Sequence, residues 1–244
     1  MMRKPLWHWV YPAVAFSVAV LFTLLPGRTI AAPTAGVIGT AAPYQAKDFS
    51  GILGMQGISD KTLNNHFKLY QAYVTNTNLL LQRTNQLLTE GKENTPEFSE
   101  LRRRFGFEFN GMRLHELYFA NLKGDGKADP ISALYKQIVQ DFGSFDRWNT
   151  DFIATGKMRG DGWAILFYDP MANRLMNVWI NDHEMGVPTG LQPILVMDAW
   201  EHAYYMDTTN RAEYITVFMK NANWREVESR FAMIREAMQK MSTK

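Results

Sequence analysis

Near its C-terminus the chain reads VMDAWEHAYYMDTTNR, residues 196–211, and no other stretch constrains its fold as much. Asp198 and His202 stand four residues apart. On a helix that spacing projects both side chains from one face about a turn apart, as two ligands of one ion must be. Trp200, Tyr204 and Tyr205 surround the pair and would supply a dry wall. The chain has only five histidines, His8, His66, His115, His183 and His202. The last four lie in the part expected to fold, each in a context that a metal site can use.

At 244 residues, 46% hydrophobic and 13% aromatic, the chain can bury a sizeable core in one or two domains. Its formal charge of +2 is too small to argue for nucleic acid. Even that surplus comes from Arg3, Lys4 and Arg28, since residues 1–32 contain no acid. With no cysteine, disulfides, thiolate metal sites and a cysteine nucleophile are excluded. A metal must be held by imidazole and carboxylate, which suits iron, manganese or zinc.

Residues 1–32 read as a targeting segment. Arg3 and Lys4 precede an apolar stretch from Val10 to Leu25, then Pro26-Gly27 and small residues ending at Ala31-Ala32. The apolar stretch is shorter than the roughly 20 residues of a bilayer span. The expectation is a signal peptide, with a retained N-terminal anchor through residues 10–25 as the alternative. Either would place the protein outside the cytoplasm, exported (periplasmic or extracellular) or membrane-anchored. Residues 33–47, rich in Ala, Pro, Gly and Thr, read as a linker.

From Ser59 the pattern is helical, with Leu63, Phe67, Tyr70, Val74 and Leu81 at three-to-four spacing. Ser59-Asp60 caps this helix and Gly91 stops it near Glu90. Thr95-Pro96 opens a second helix that runs to about Asn121. Residues 131–158 predict two short helices around Gly143-Ser144. Gly162–Tyr168 and Leu175–Ile180 predict paired strands, Pro193–Met197 a third apolar run, and 207–220 and 223–240 two closing helices. The fold class is α+β: an N-terminal α-helical hairpin (48–126) carrying His66 and His115, then a C-terminal domain (127–244) with a three-stranded antiparallel sheet and helices.

With these elements placed, DAWEHAYY resembles the C-terminal metal motif of the iron/manganese superoxide dismutases, D-x-W-E-H-A-Y-Y. TLNNHFKLYQAYVTNTN (62–78) and FNGMRLHELYFANL (109–122) resemble that family's first- and second-helix histidine motifs. DFGSFDRW (141–148) and GDGWAILFYD (160–169) resemble its F-G-S-F and G-x-G-W-x-x-L signatures. Together they cover roughly residues 45–242, in order. The resemblance implies that His66, His115, Asp198 and His202 bind one manganese or iron ion per subunit, and that superoxide is converted to dioxygen and hydrogen peroxide. It implies that Tyr73 lines the substrate funnel and that Trp163 and Trp200 pack about the metal. It also implies that Glu201 reaches across a homodimer, or a pair within a homotetramer, to the partner's metal histidine.

The departures from the family pattern are specific. Relatives hold the metal-bound water with a glutamine from the loop before the last strand, or from the helix position four residues before the second histidine. Here that helix position is Gly111, and His183 falls at or next to the loop position, so His183 is assigned as the water's partner. The first metal histidine and the funnel tyrosine are usually eight residues apart; His66 and Tyr73 are seven apart. The gateway histidine falls at Leu69 or Tyr70, which would leave Tyr205 without its usual partner across the dimer. Leu114 stands where relatives often have asparagine. Taken singly, each histidine reads as structural, and Arg102-Arg103-Arg104 as a solvated helix face with anion attraction as the alternative. Their joint occurrence favours a working dismutase over a dismutase-like structural or binding protein. Both glutamine positions are occupied otherwise, so manganese and iron are not separated.

Overall fold

The structure, a computed structural model, describes residues 42–242; the expected leader and most of the expected linker lie outside them. Helix α1 (Asp60–Thr89) and helix α2 (Pro96–Ala120) form the hairpin. Each start is set by a hydroxyl that accepts an otherwise orphaned backbone N–H: Ser59 takes that of Thr62 and Thr95 that of Phe98, with Pro96 opening α2. Past Glu90 the chain turns through Gly91 at φ 66°, a left-handed conformation that glycine adopts without a Cβ penalty. Ahead of α1, Lys47 N–H donates to the Tyr70 hydroxyl, and the Tyr44 backbone exchanges two hydrogen bonds with the Asn78 side chain.

The second half carries helices α3 (Ala133–Phe142) and α4 (Phe145–Gly156), strands β1 (Gly162–Asp169), β2 (Arg174–Asn181) and β3 (Gln192–Asp198), and helices α5 (Arg211–Lys220) and α6 (Trp224–Ser242). The sheet order is β2-β1-β3, antiparallel throughout. Strand β1 is central and buried on both faces, which explains its unbroken apolar run GWAILFY. Pro193 is tolerated because β3 is an edge strand. The closing helix expected from 207 begins at Arg211. Residues 204–208 are spent on turns in which Asp207 and Thr208 N–H both return to the Tyr204 carbonyl, and Asn210 caps the helix. Among the described residues no helix is long and apolar enough to cross a membrane.

Hairpin and sheet share one core. Tyr118 of α2 stacks on Phe218 of α5, and its hydroxyl accepts from Tyr214 at 3.1 Å. A polar clamp fixes the register. Asn121, just past α2 and fully buried, donates to the Val196 carbonyl at 3.0 Å, and its side-chain oxygen accepts from Arg230 of α6. Arg230 also donates to the Ile194 carbonyl at 2.7 Å and pairs with Glu226. The end of α2, the strand carrying Asp198 and the last helix are thus bound through two side chains. Asn121→Ala leaves buried donors and acceptors unmatched and is expected to cost about 2–3 kcal/mol. The denaturant midpoint at constant m-value checks this, and a shift below about 0.5 kcal/mol would remove the clamp from the account.

Candidate metal centre

Four side chains from three parts of the chain meet at one point. His66 projects from α1, His115 from α2, Asp198 from the last residue of β3, and His202 from a 3-10 turn, Glu201–Ala203. One ligand atom from each lies within 4.8 Å of all the others. The Nε2 atoms of His202, His66 and His115 face the single oxygen Oδ2 of Asp198 at 3.1, 3.2 and 3.8 Å. Asp198, His66 and His115 are buried, while the His202 side chain is 26% exposed.

Asp198 and His202 are not on a common helix, contrary to the four-residue spacing. Ala199 N–H still bonds the Gly162 carbonyl of β1 at 2.9 Å, so the chain stays extended through Asp198. The Asp198 Oδ1 then accepts from Trp200 N–H at 2.8 Å, bending the chain into the 3-10 turn and leaving Oδ2 to face the imidazoles. The dry wall also differs from expectation. Trp200 stacks on His183 and His202 at 5.0 and 5.6 Å between ring centroids. Tyr204 packs on Tyr214 instead, and Tyr205 is 58% exposed because the turn carries it outward.

Helix α1 is continuous from Asp60 to Thr89, so the seven residues from His66 to Tyr73 make almost two full turns and put both on one face. The short spacing thus needs no local irregularity. Tyr73 stacks on His115 at 5.2 Å and bonds His183 Nε2 through its hydroxyl at 2.7 Å. Gly111 makes this possible: a Cβ there would lie 2.6 Å from the Tyr73 ring, so no side chain fits at the helix position where relatives carry glutamine. The Gly111 carbonyl accepts from His115 Nδ1 at 2.6 Å, which leaves Nε2 of His115 as the lone-pair nitrogen facing the centre.

His183 is fully buried, and its tautomer is fixed from behind. Trp163 Nε1–H, a donor only, gives its proton to His183 Nδ1 at 2.9 Å. Nε2 therefore carries the hydrogen and donates to the Tyr73 oxygen. Burial pushes the His183 imidazolium down to about 4, so the ring is neutral at physiological pH. Burial likewise holds the Tyr73 hydroxyl above its ordinary range, with Asp198 and Glu108 adding to the effect.

The gateway positions hold no histidine. Leu69 is half-buried, and the buried Tyr70 has its hydroxyl engaged between Lys47 N–H and Glu116. Glu201 is exposed beside His202. Two contributors escaped the sequence reading: Phe107, whose ring lies 4.6 Å from His183, and Asn110, which donates to the His183 carbonyl at 2.8 Å; Arg104, noted there only within the arginine run, lies over Phe107. Counting back from His115 by helical steps to Gly111, Phe107 and Arg104 was the signal available.

The residues fit a metal. Both ring nitrogens of His66 and Nε2 of His115 are buried without a hydrogen-bond partner. Orphaned buried nitrogens of this kind are rare in folded proteins and expensive to keep. Burial holds His66 and His115 below the ordinary imidazolium range. Burial alone would raise Asp198, but His202 and His66 outweigh it and hold its carboxyl well below the usual range. Neutral imidazoles at His66 and His115 beside an ionised carboxylate are the protonation states that a divalent or trivalent ion requires. Ligand atoms about 2.1 Å from one ion lie about 3 to 4 Å apart, which matches the approaches to Asp198 Oδ2.

Comparison with known proteins agrees with this geometry. The family profile described as "Iron/manganese superoxide dismutases, C-terminal domain" matches residues 130–230. A "Superoxide dismutase [Fe]" of Aquifex pyrophilus is 36% identical over 193 residues, covering 77% of this chain and 90% of that protein. A "Superoxide dismutase [Mn]" of Nocardia asteroides is 33% identical, covering 68% of this chain and 80% of that protein. A "Superoxide dismutase [Fe]" of Cupriavidus metallidurans is 36% identical, covering 73% and 90%. With four ligand-type groups converging as the motifs imply, and with relatives this similar over most of its length, the chain belongs to the iron/manganese superoxide dismutase family.

Proposed function

We propose that the protein disproportionates superoxide into dioxygen and hydrogen peroxide at one manganese or iron ion per subunit, held by His66, His115, Asp198 and His202. The observation that carries this reading is the convergence of three imidazole nitrogens on one buried carboxylate oxygen. The ion, when bound, supplies the one-electron couple that accepts an electron from one superoxide and returns it to another, with two protons taken up in the second half.

The chain's own residues do the rest. Gly111 fixes the His115 tautomer, and Trp163 fixes that of His183. His183 Nε2–H fills an acceptor position on the Tyr73 oxygen and leaves the tyrosine's own hydrogen free to donate forward. Tyr73 stays protonated because burial disfavours the phenolate, so it brings a proton-bearing hydroxyl alongside His115. With Nδ1 taken by Trp163 and Nε2 by Tyr73, the role expected of His183 as the water's partner would be exerted through Tyr73. Trp163 and Trp200 keep water from the imidazoles. Glu201, exposed next to His202, suits a bridge to a second subunit of a homodimer, or of a homotetramer built from such pairs, with Tyr205 on the same surface. Export, or a tether through residues 10–25, fits the basic-then-apolar leader.

Purified protein stripped of metal and reloaded is expected to remove superoxide with manganese or iron and not with zinc, which has no redox couple. Failure to bind a redox ion, or binding without superoxide removal, would return the chain to a structural or binding role. For His183→Ala, metal content is expected to hold while activity falls about 10- to 100-fold. The folded pKa of His183 lies below the ordinary value, so the stability its neutral form contributes is present above about pH 6.5 and lost as pH falls toward 4. The denaturant midpoint of the metal-free protein should therefore drop less between pH 7 and 4.5 in His183→Gln than in the parent. Equal drops would show that His183 is not the titrating group.

A further inference from the structure

Arg102-Arg103-Arg104 read as a solvated run with anion attraction as the alternative, but the fold treats the three differently. Arg103 pairs with Glu100, and both side chains are about 60% exposed, while Arg102 lies over Phe98 near the start of α2. Arg104 turns toward the metal centre. Its guanidinium carbon sits 3.8 Å above the Phe107 ring, and that ring is 4.6 Å from His183 and 6.1 Å from Tyr73 between centroids. Exposure falls along this line: the Arg104 side chain is 42% exposed, Phe107 and Tyr73 are half-buried, and His183 and His115 are fully buried. The line runs inward from a cation at its outer end.

We propose that Arg104 is the residue that draws the small anionic substrate to the mouth of this site, an inference that rests on the dismutase reading above. The stretch beyond it is otherwise unwelcoming to an anion. Glu108 is 4% exposed and carries its carboxylate between Arg104 and Asn76, at 2.8 and 3.2 Å. Asp198, Glu108 and Asp182 all bear on Tyr73 with negative charge, and Arg104 is the cation that opposes them there. Planar stacking on Phe107 and the bond to Glu108 hold the guanidinium in place, so its charge is presented at a fixed point rather than on a mobile stem. The buried Glu108 faces inward and the half-exposed guanidinium outward, so the pair offers its positive end to solvent.

The test uses the iron-loaded full chain, with azide as a small-anion probe read by absorbance and superoxide removal measured from low to high salt. Arg104→Gln is expected to weaken azide binding and lower kcat/KM about three- to tenfold at low ionic strength, with the gap closing as salt rises. Arg104→Lys, which keeps the charge but not the stacking that fixes it, should recover part of the loss. Arg103→Gln, which removes the same charge one residue away, should change either value less than twofold. Glu108→Gln keeps the shape and unmasks Arg104, so azide should bind about threefold tighter; this variant decides the matter if Arg104→Gln does not fold. Equal effects at 103 and 104, a loss independent of salt, or no tightening in Glu108→Gln would overturn the proposal. If the parent itself neither binds azide nor removes superoxide, it is the dismutase reading that fails.

Discussion

A carboxylate with no exposure to solvent faces three imidazoles, and most of the rest of the structure can be understood as what keeps it there. Removing such an ion from water costs several kcal/mol even after relaxation, and the cost is recovered only by a charge or hydrogen bonds at close range. Asp198 has one backbone hydrogen bond, from Trp200 N–H to Oδ1. Its other oxygen faces His202 Nε2 at 3.1 Å and His66 Nε2 at 3.2 Å, and at 3.8 Å the Nε2 of His115, which the Gly111 bond leaves as a lone pair rather than a proton. A bound cation resolves this conflict, because it satisfies the carboxylate together with the orphaned Nε2 atoms of His66 and His115.

The position of that carboxylate depends on the joint between the two halves of the fold. Asp198 is the last residue of an edge strand, and its depth is set by the pairing of β3 with β1 and by the Asn121–Arg230 clamp to the hairpin and α6. His66 and His115 arrive on two capped helices whose lengths and faces are fixed locally. The site is therefore assembled from elements that are individually ordinary. Behind it, a line of hydrogen bonds from Trp163 to His183 to Tyr73 fixes the His183 tautomer, so that the tyrosine oxygen accepts from His183 and its own hydrogen is not spent on that ring.

Much of this was legible in the residues. The hairpin's helix starts could be placed because Ser59 and Thr95 are side chains that cap, and β1 because an unbroken apolar run suits a strand buried on both faces. The four-residue spacing of Asp198 and His202 misled, because it fits a helix equally well. The bond from Ala199 to Gly162, which keeps the segment extended, joins residues far apart in sequence. The seven-residue step from His66 to Tyr73 looked like a defect and proved to be two regular turns. Tyr73 and His183 meet across 110 positions, which no local pattern reveals. The role of Gly111 could be read only in part: that it leaves room is visible in the sequence, that Tyr73 fills the room is not.

The most direct test of the buried carboxylate's dependence on a cation is thermal unfolding of metal-loaded and metal-free protein, for the parent and for Asp198→Asn. Saturating metal at about a thousand times its dissociation constant stabilises by about 4 kcal/mol, on the order of 10 °C for a chain of this size. The account predicts such a gap in the parent. It predicts no gap in Asp198→Asn, whose metal-free form should melt at or above the metal-free parent because the uncompensated charge is gone. Equal melting of loaded and metal-free parent, or an undiminished gap in Asp198→Asn, would contradict it.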